Sequence, residues 1–439
     1  MTGMLRSRLA ELETVSPWRV SGRVARVTTH ELEVRGLRLK IGDSLAIRTD
    51  DAVRQAEVIA LTPEGARVLP FGEVAGIGKG DIVVADRGGL SMAISESVVG
   101  RVLDGLGRPL DGGPPIEGEL IDVGAAAPSP LDRIRINDPL STGVRVLDTF
   151  CTTGKGQRIG IFGGSGVGKS TLLGMMARGT SADISVLALI GERGREVREF
   201  IEDELGPEGM GRSIVIVATS DQPALMRLRA SLLATRIAEW FADRNNDVLL
   251  LMDSLTRLAM AQREIGLAAG EPPTARGYTP SVFSLMARLL ERAGPRSRGT
   301  ITGYYTVLVE GDDMNDPIAD TARAILDGHV VLDRRIAISG RYPAVDPLAS
   351  LSRLAPRLVS ADRRATVIAA QDALAAAEEV RELVEVGAYV PGTNPAADRG
   401  LAAKPGLVEF LRQPSDELVG YEDAWSQLEA LRDRIGLTS

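Results

Sequence analysis

The spacing of apolar residues changes along this chain, and each change predicts a different kind of element. In residues 4–13 leucine and methionine recur near helical spacing among charged side chains, which predicts a short amphipathic helix within residues 1–18. We assign this helix to partner docking, with packing onto its own domain as the alternative. From Val20 the period becomes two, and Gly42-Asp43 and Pro63-Glu64-Gly65 punctuate short segments. Residues 19–90 are therefore predicted to form a small β-barrel.

A Gly- and Pro-rich passage over 99–118 follows, and it can hold neither a helix nor a central strand. Beyond it, apolar runs alternate with helical stretches at 159–162, 184–190, 214–217, 248–252 and 306–309. This alternation is typical of an α/β domain with a mostly parallel sheet, which binds ligands at the carboxyl ends of its strands. We place this domain, with the linker that leads into it, at 91–355.

Helical periodicity takes over at the C-terminal end, in residues 369–386, 407–411 and 421–435. Pro391-Gly392 and Pro395 are expected to separate these helices. We predict a helical C-terminal domain over 356–439.

Composition limits the classes of function. A chain of 439 residues with 44% hydrophobic content predicts two or three domains, and a formal net charge of -8 argues against a long nucleic acid as partner. The single cysteine, Cys151, and the lack of an apolar signal region favour the cytoplasm. No apolar run has membrane-spanning length, so we expect membrane contact only through partners.

A glycine-rich segment after the 159–162 strand fits the phosphate-loop pattern G-x-x-x-x-G-K-[ST] and opens a predicted helix at 171–178. The pattern predicts that backbone amides and Lys169 bind the phosphates of ATP, while the Ser170 hydroxyl binds Mg²⁺. A chance glycine-rich turn is the alternative, and strand, loop and helix in the required order argue against it. The predicted nucleotide-binding residues of this segment are Gly163, Gly164, Ser165, Gly166, Val167, Gly168, Lys169, Ser170 and Thr171.

Acidic residues follow two further predicted strands. Asp253 ends the 248–252 strand, where a carboxylate can hold Mg²⁺ through water, although strands also end in Asp for capping. Glu192 and Arg193 follow the 184–190 strand at the same predicted sheet edge. Hydrolysis needs a group that orients the attacking water, and Glu192 can do this while Arg193 balances charge. A surface ion-pair cluster at the start of a helix is the alternative.

Four segments occur in the order found in the rotary ATPase α/β family, which this chain resembles over nearly its whole length. They are the phosphate loop, G-E-R-x-R-E at 191–196, D-S-x-T-R at 253–257, and P-x-[LIV]-[DNH]-x-x-x-S-x-S at 343–352. The resemblance implies a RecA-like P-loop domain between the barrel and the helical end. It also implies that Glu192 is the catalytic carboxylate, because non-catalytic sister subunits carry Gln there.

The same resemblance implies three further roles. Arg257 would contact the γ-phosphate, and Tyr342 would stack on adenine. Arg353 stands where this family carries an arginine finger that reaches into a neighbouring subunit, so identical subunits could close a homohexameric ring. One departure concerns Gln413-Pro414, which Ser415 follows here instead of an aromatic residue. In the family that aromatic residue closes the adenine pocket, so we expect looser selectivity for purines here, with Tyr421 as the substitute wall of the pocket.

Residues 312–320 and 325–332 resemble the type III protein-export ATPases more than the synthase subunits. His329 in the second segment is interpreted as structural. The resemblance implies an ATPase that energises bacterial flagellar protein export from the cytoplasmic face of the plasma membrane, as a peripheral protein. Its expected partners are the export gate, a stator-like regulator and complexes of export chaperones with their substrates.

Other functions share part of this pattern. An injectisome ATPase or the catalytic subunit of a proton-translocating ATP synthase would have the same site residues. A ring-shaped RNA translocase would place base-stacking aromatics on its barrel, where this chain offers chiefly Trp18 and Phe71. A non-catalytic subunit that binds nucleotide to hold a ring together is the remaining alternative.

Overall fold

The structure is a computed structural model that describes residues 20–86, 91–309 and 316–437. The predicted amphipathic helix within residues 1–18 lies outside the described residues. The chain divides into two compact units, Met1–Ser91 with Glu264–Glu271, and Met92–Arg263 with Pro272–Ser439. The C-terminal helices belong to the same unit as the central sheet, and the domain boundaries given above stay predictions.

Six antiparallel strands in the first unit close into a barrel in the order β1-β2-β5-β4-β3-β6. Inward-facing Val24, Val34, Ile47, Val58 and Val68 form its core. Closure leaves no free strand edge, and the period-two pattern puts alternate side chains inside. The predicted barrel is confirmed, with strands β1 (Ser21–Val27), β2 (Leu32–Arg35), β3 (Ser44–Arg48), β4 (Val53–Thr62), β5 (Gly65–Pro70) and β6 (Ile82–Asp86).

The second unit is built on a nine-stranded sheet with the order β19-β18-β12-β17-β15-β13-β14-β8, and β16 pairs with β17. All neighbours along this order are parallel except β18 and β19, and β16 is also antiparallel. The mostly parallel sheet is thus confirmed. Its strands are β8 (Val102–Asp104), β12 (Arg158–Gly163), β13 (Ile184–Ile190), β14 (Ser213–Ala218), β15 (Asp247–Asp253), β16 (Gly294–Pro295), β17 (Thr300–Leu308), β18 (Gly328–Leu332) and β19 (Leu351–Ser352).

Two small sheets complete the strands. One pairs β7 (Ser91–Ile94) with β9 (Glu119–Asp122), and the other pairs β10 (Pro139–Leu140) with β11 (Thr153–Gly154). β8 lies in the predicted linker and takes an edge position, which suits a segment rich in Gly and Pro.

Helices surround the central sheet and form the C-terminal end. They are α1 (Arg145–Phe150), α2 (Lys169–Gly179), α3 (Gly194–Glu199), α4 (Gly206–Met210), α5 (Ala224–Ala242), α6 (Leu255–Ala269), α7 (Pro280–Leu290), α8 (Pro317–Ile325), α9 (Arg334–Ile338), α10 (Ala355–Leu358), α11 (Ala361–Glu379), α12 (Arg381–Glu385), α13 (Pro395–Leu411) and α14 (Tyr421–Ile435). A π-helix at Phe200–Leu205 and 3-10 turns at Glu96–Val98, Pro130–Asp132 and Ala275–Gly277 connect them. Within the described residues, no helix has the length and apolar character needed to cross a membrane.

The last predicted helix, 421–435, has its predicted bounds as α14, whereas the helices predicted at 369–386 and 407–411 have different bounds. Pro395 does not interrupt a helix but occupies the first turn of α13, where proline lacks only an amide that would stay unpaired. The Asn394 side chain caps this helix by accepting hydrogen bonds from the amides of Ala396 and Ala397. Leu407 and Trp425 are buried in one continuous core with Met176 of α2, so the helical end packs directly on the nucleotide-binding layer.

Candidate active site

The predicted phosphate loop connects β12 to α2. Gly166 and Gly168 have φ angles of 78° and 86°, in the left-handed region that glycine adopts without strain. Val167 is buried and anchors the loop, while Gly163 lies within β12. The remaining predicted loop residues line a cleft of about 890 Å³, namely Gly164, Ser165, Gly166, Gly168, Lys169, Ser170 and Thr171. Because α2 begins at Lys169, its unpaired first-turn amides open toward this cleft.

Asp253 ends β15 and connects the phosphate loop to the sheet through Lys169, which lines the cleft. Its Oδ1 is 2.9 Å from Lys169 Nζ and accepts a hydrogen bond of 2.6 Å from Thr306 Oγ1. The carboxylate is nearly buried, so these two contacts compensate much of its charge. Thr306 belongs to β17, the strand inserted between β12 and β15. No sequence motif marked Thr306, because a lone threonine in a strand does not reveal which strands are neighbours.

Glu192 faces the same cleft, two residues beyond the end of β13. Burial and the nearby negative charge of Asp253 raise its pKa to about 7, although the positive charge of Lys169 acts in the opposite direction. β13 and β15 are direct neighbours, with Leu189 opposite Asp253. Glu192 and Asp253, which are 61 residues apart in sequence, therefore lie at one edge of the sheet, as predicted for a parallel sheet.

Arg193 and Arg257 both line the cleft but differ in their contacts. Arg193 is 74% exposed and pairs with Glu196 at 3.2 Å, the surface ion pair that was the alternative interpretation. The Arg257 side chain packs on Gly191, where a β-carbon would come within 2.9 Å of it. Its Nε is buried and has no hydrogen-bond partner among the described residues. Of the two, Arg257 is the less exposed guanidinium, and its contact with the γ-phosphate stays a prediction.

Tyr342 lies over the phosphate loop. A β-carbon at Gly168 would meet the Tyr342 ring at 3.2 Å, and Tyr342 as a residue is 44% exposed. The Tyr342 carbonyl accepts a hydrogen bond of 2.9 Å from the amide of Gln413. Gln413 is the residue directly before Pro414 and Ser415. An aromatic face beside the loop is available for stacking. Tyr421 packs near Trp425, and its role as a pocket wall stays a prediction.

Arg353 lies outside the cleft of its own chain. It follows β19 at the edge of the sheet, is exposed, and donates a hydrogen bond of 3.2 Å to the carbonyl of Arg323. His329 on β18 packs edge-on against Phe162 at 6.0 Å, and burial lowers its pKa. Within the described residues there is no group of three or more side chains suited to hold a metal through His, Cys, Asp or Glu alone.

The fold and the cleft define a phosphate-loop nucleotide hydrolase. The model of the ATP synthase alpha/beta family nucleotide-binding domain matches residues 143–352, and the model of the T3SS EscN ATPase C-terminal domain matches residues 359–430. The flagellum-specific ATP synthase of Bacillus subtilis (strain 168) is 47% identical and aligns over 96% of this chain and 97% of its own length. The type 3 secretion system ATPase of Xanthomonas euvesicatoria is 46% identical over 96% of each chain.

Solved structures agree with these sequence matches. The assembled ATPase EscN from the type III secretion system of enteropathogenic E. coli superposes with a TM-score of 0.88 at 40% identity, covering 93% of this chain and 99% of that one. EscN in complex with its central stalk EscO gives a TM-score of 0.86 over the same shares. The chain belongs to the ATP synthase alpha/beta family, in the branch of flagellar and type III secretion ATPases. The predicted family, the fold class and the ATPase activity are thereby confirmed.

Proposed function

We propose that this chain hydrolyses ATP to energise bacterial flagellar type III protein export. The observation that carries the proposal is the cleft in which Glu192 and the Lys169–Asp253 pair meet the phosphate loop. Similarity to the flagellum-specific ATP synthases of Bacillus subtilis and Salmonella typhimurium, both at 47% identity, supports the flagellar assignment.

The residues present fit a Mg²⁺ ion. Ser170 offers a hydroxyl oxygen at the start of α2, and Asp253 offers a carboxylate whose contacts with Thr306 and Lys169 both involve Oδ1. Oxygen donors of this kind suit Mg²⁺, which keeps several waters and binds phosphate oxygens together with one or two carboxylates. The bound ion would neutralise charge on the β- and γ-phosphates.

We assign the chemical step to Glu192. A carboxylate with a pKa near 7 can accept a proton at physiological pH, and Glu192 is half-buried at the wall of the cleft. In this assignment Glu192 accepts a hydrogen bond from the attacking water, while Lys169, Arg257 and the loop amides hold the transferred phosphoryl group. Arg193 balances charge at the rim, and Tyr342 stacks on adenine.

Replacing Glu192 by Gln tests this assignment. We expect ATP turnover to fall by about 100-fold or more, because general-base assistance of this type contributes 10²–10⁴. Nucleotide affinity should stay within a few-fold, as measured by fluorescence titration. Glu199→Gln is the matched control, since Glu199 is exposed on α3 and pairs with Arg195 at 3.6 Å. Unchanged turnover in Glu192→Gln would identify a non-catalytic subunit instead.

We further propose a homohexameric ring completed by Arg353. The side chain is exposed at the edge of the sheet, away from its own cleft, which suits a finger reaching a neighbour's phosphates. Similarity to the assembled EscN structure supports a ring. Mixing Arg353→Ala with Lys169→Ala chains should restore activity through hybrid interfaces, whereas Arg357→Ala should hydrolyse ATP normally. Rings that form without any recovered activity would exclude the trans role.

The injectisome is the second candidate, because the SPI-2 type 3 secretion system ATPase of Salmonella typhimurium is 48% identical over 84% of this chain. A pull-down from the native cell separates the two. Flagellar export chaperones, a stator-like regulator and the export gate are the partners we propose, at the cytoplasmic face of the plasma membrane. Capture of injectisome components would reassign the system, and stimulation of hydrolysis by poly-pyrimidine RNA would favour the RNA translocase.

A further inference from the structure

A second cavity, of about 360 Å³, lies between the segment that follows β18 and the C-terminal helices. Arg341 and Leu348 contribute from the segment, Leu374 from α11, and Lys404 and Val408 from α13. It shares no lining residue with the cleft around the phosphate loop. The cavity is therefore a separate site within the second unit, at the low end of the volumes that small ligands occupy.

Arg341 is the buried cation of this cavity. It is only 7% exposed, and its Nη2 donates a hydrogen bond of 2.7 Å to the carbonyl of Val345. Its Nε has no hydrogen-bond partner among the described residues. Burial lowers the pKa of Arg341, while Asp346 and Asp333 offset part of that effect. A guanidinium taken from water and left with unused donors favours a bound anion.

The acidic residues of the cavity are already engaged. Asp333 Oδ1 accepts hydrogen bonds from the amides of Arg335 and Ile336, which caps α9. Asp346 Oδ1 accepts from the amides of Leu348 and Ala349. Glu378 pairs with Arg381 at 2.8 Å.

Lys404 has no carboxylate partner among the described residues. It reaches the cavity from α13 and is only partly exposed. Across the part of the chain that the structure describes, no carboxylate lies within ion-pair distance of its ammonium group. The cavity is lined by four cationic and three anionic side chains, so its net charge is positive. Lys404 is the cation without a carboxylate partner in the described part of the chain, and Arg341 is the buried cation with an unused donor.

We propose that this cavity binds a small oxyanion, a phosphate or carboxylate group, between the guanidinium of Arg341 and the ammonium of Lys404. Planar guanidinium and ammonium donors both match oxyanion acceptors, and a partly desolvated site strengthens such bonds. Leu348, Leu374 and Val408 provide an apolar wall for the body of the ligand. The bound anion tethers the segment after β18 to α13. This site does not depend on the proposed export function.

Calorimetric titration of the full chain tests the site, with a saturating non-hydrolysable ATP analogue and Mg²⁺ present to occupy the whole phosphate-binding cleft. Inorganic phosphate and succinate, which binds Mg²⁺ only weakly, are the two probes, and they distinguish a phosphate from a carboxylate ligand. We expect saturable binding of at least one probe, weakened about tenfold or more in Lys404→Gln and in Arg341→Gln, because each loses a charge-assisted hydrogen bond. Arg399→Gln is the matched control, since Arg399 is exposed on α13 and does not line the cavity.

Circular dichroism establishes that each variant is folded, and Lys404→Gln carries the test if the buried Arg341 cannot be replaced. The proposal is overturned if neither probe saturates below on the order of 10 mM. It is equally overturned if Lys404→Gln binds both probes as tightly as the parent chain.

Discussion

Thr306 should affect Mg²⁺ binding at the proposed site through its hydrogen bond to Asp253. Its hydroxyl donates to Asp253 Oδ1 at 2.6 Å, and both side chains are buried. Thr306→Val keeps the shape of the side chain and its strand preference but removes the donor. The carboxylate then loses one of its two compensating contacts, and Lys169 alone holds it.

The size of the effect follows from the kind of bond. A hydrogen bond to a charged group contributes about 1.5–3 kcal/mol, which corresponds to roughly ten- to a hundredfold in an equilibrium constant. Partners that orient a metal-binding carboxylate have effects of the same order. We expect Thr306→Val to lower ATP turnover and to raise the Mg²⁺ concentration for half-maximal activity, each within about that range. Steady-state hydrolysis at varied Mg²⁺ measures both.

Thr302→Val provides the matched control on the same strand. Thr302 is also buried, but its hydroxyl accepts from the amide of Gly156 at 2.8 Å, away from Asp253. Its replacement should lower stability without moving the Mg²⁺ dependence. If Thr306→Val keeps both turnover and Mg²⁺ dependence within twofold of the parent, the hydroxyl does not position Asp253 and the assignment of this carboxylate to the metal weakens.

Three further predictions concern other contacts of the second unit. Tyr342→Ala should weaken ATP binding about two- to tenfold, whereas Tyr342→Phe should not, as fluorescence titration will show. Glu239→Ala should lower the free energy of unfolding in urea by about 3–5 kcal/mol, because it leaves Arg292 buried without its carboxylate partner. Asp243→Ala is the control: it removes a more exposed ion pair and should lower that free energy by under about 1 kcal/mol. Burial raises the pKa of Asp148 from 3.8 to about 6. The folded state therefore binds the proton more tightly than the unfolded state. The free energy of unfolding should fall by up to about 3 kcal/mol as the pH rises from about 4 to 6, because the folded state loses this proton. Asp148→Asn should remove this pH dependence.

Local patterns determined which parts of the site the sequence could predict. The phosphate loop is one continuous stretch of sequence, so its glycines, Lys169 and Ser170 can be recognised without knowing how the rest of the chain folds. Asp253 and Glu192 each follow an apolar strand, and any parallel sheet collects such strand ends at one edge. The fold class followed from the spacing of apolar residues, which has a period of two in the barrel, alternates between strands and helices in the central domain, and is helical at the C-terminal end.

Contacts between distant segments could not be predicted in this way. The strand that carries Thr306 enters the sheet between two strands that precede it in sequence, and no local pattern gives that order. The bond from the Gln413 amide to the Tyr342 carbonyl joins the C-terminal helices to the cleft across 71 residues. Element ends were missed where a cap decides them, as at Asn394, which starts α13 well before its apolar run.

The Lys169–Asp253 pair implies that nucleotide and metal bind cooperatively. In this structure Lys169 compensates the buried carboxylate at 2.9 Å, so turning toward phosphates would leave Asp253 without its cation. A divalent cation that arrives with the nucleotide removes that cost, and ATP should therefore bind markedly more weakly when Mg²⁺ is chelated. Asp253→Asn eliminates the charge that must be compensated, so its ATP affinity should depend much less on Mg²⁺ than that of the parent chain. Equal Mg²⁺ dependence in the two proteins, measured by titration with a fluorescent ATP analogue, would show that Lys169 does not exchange partners when the cleft is filled.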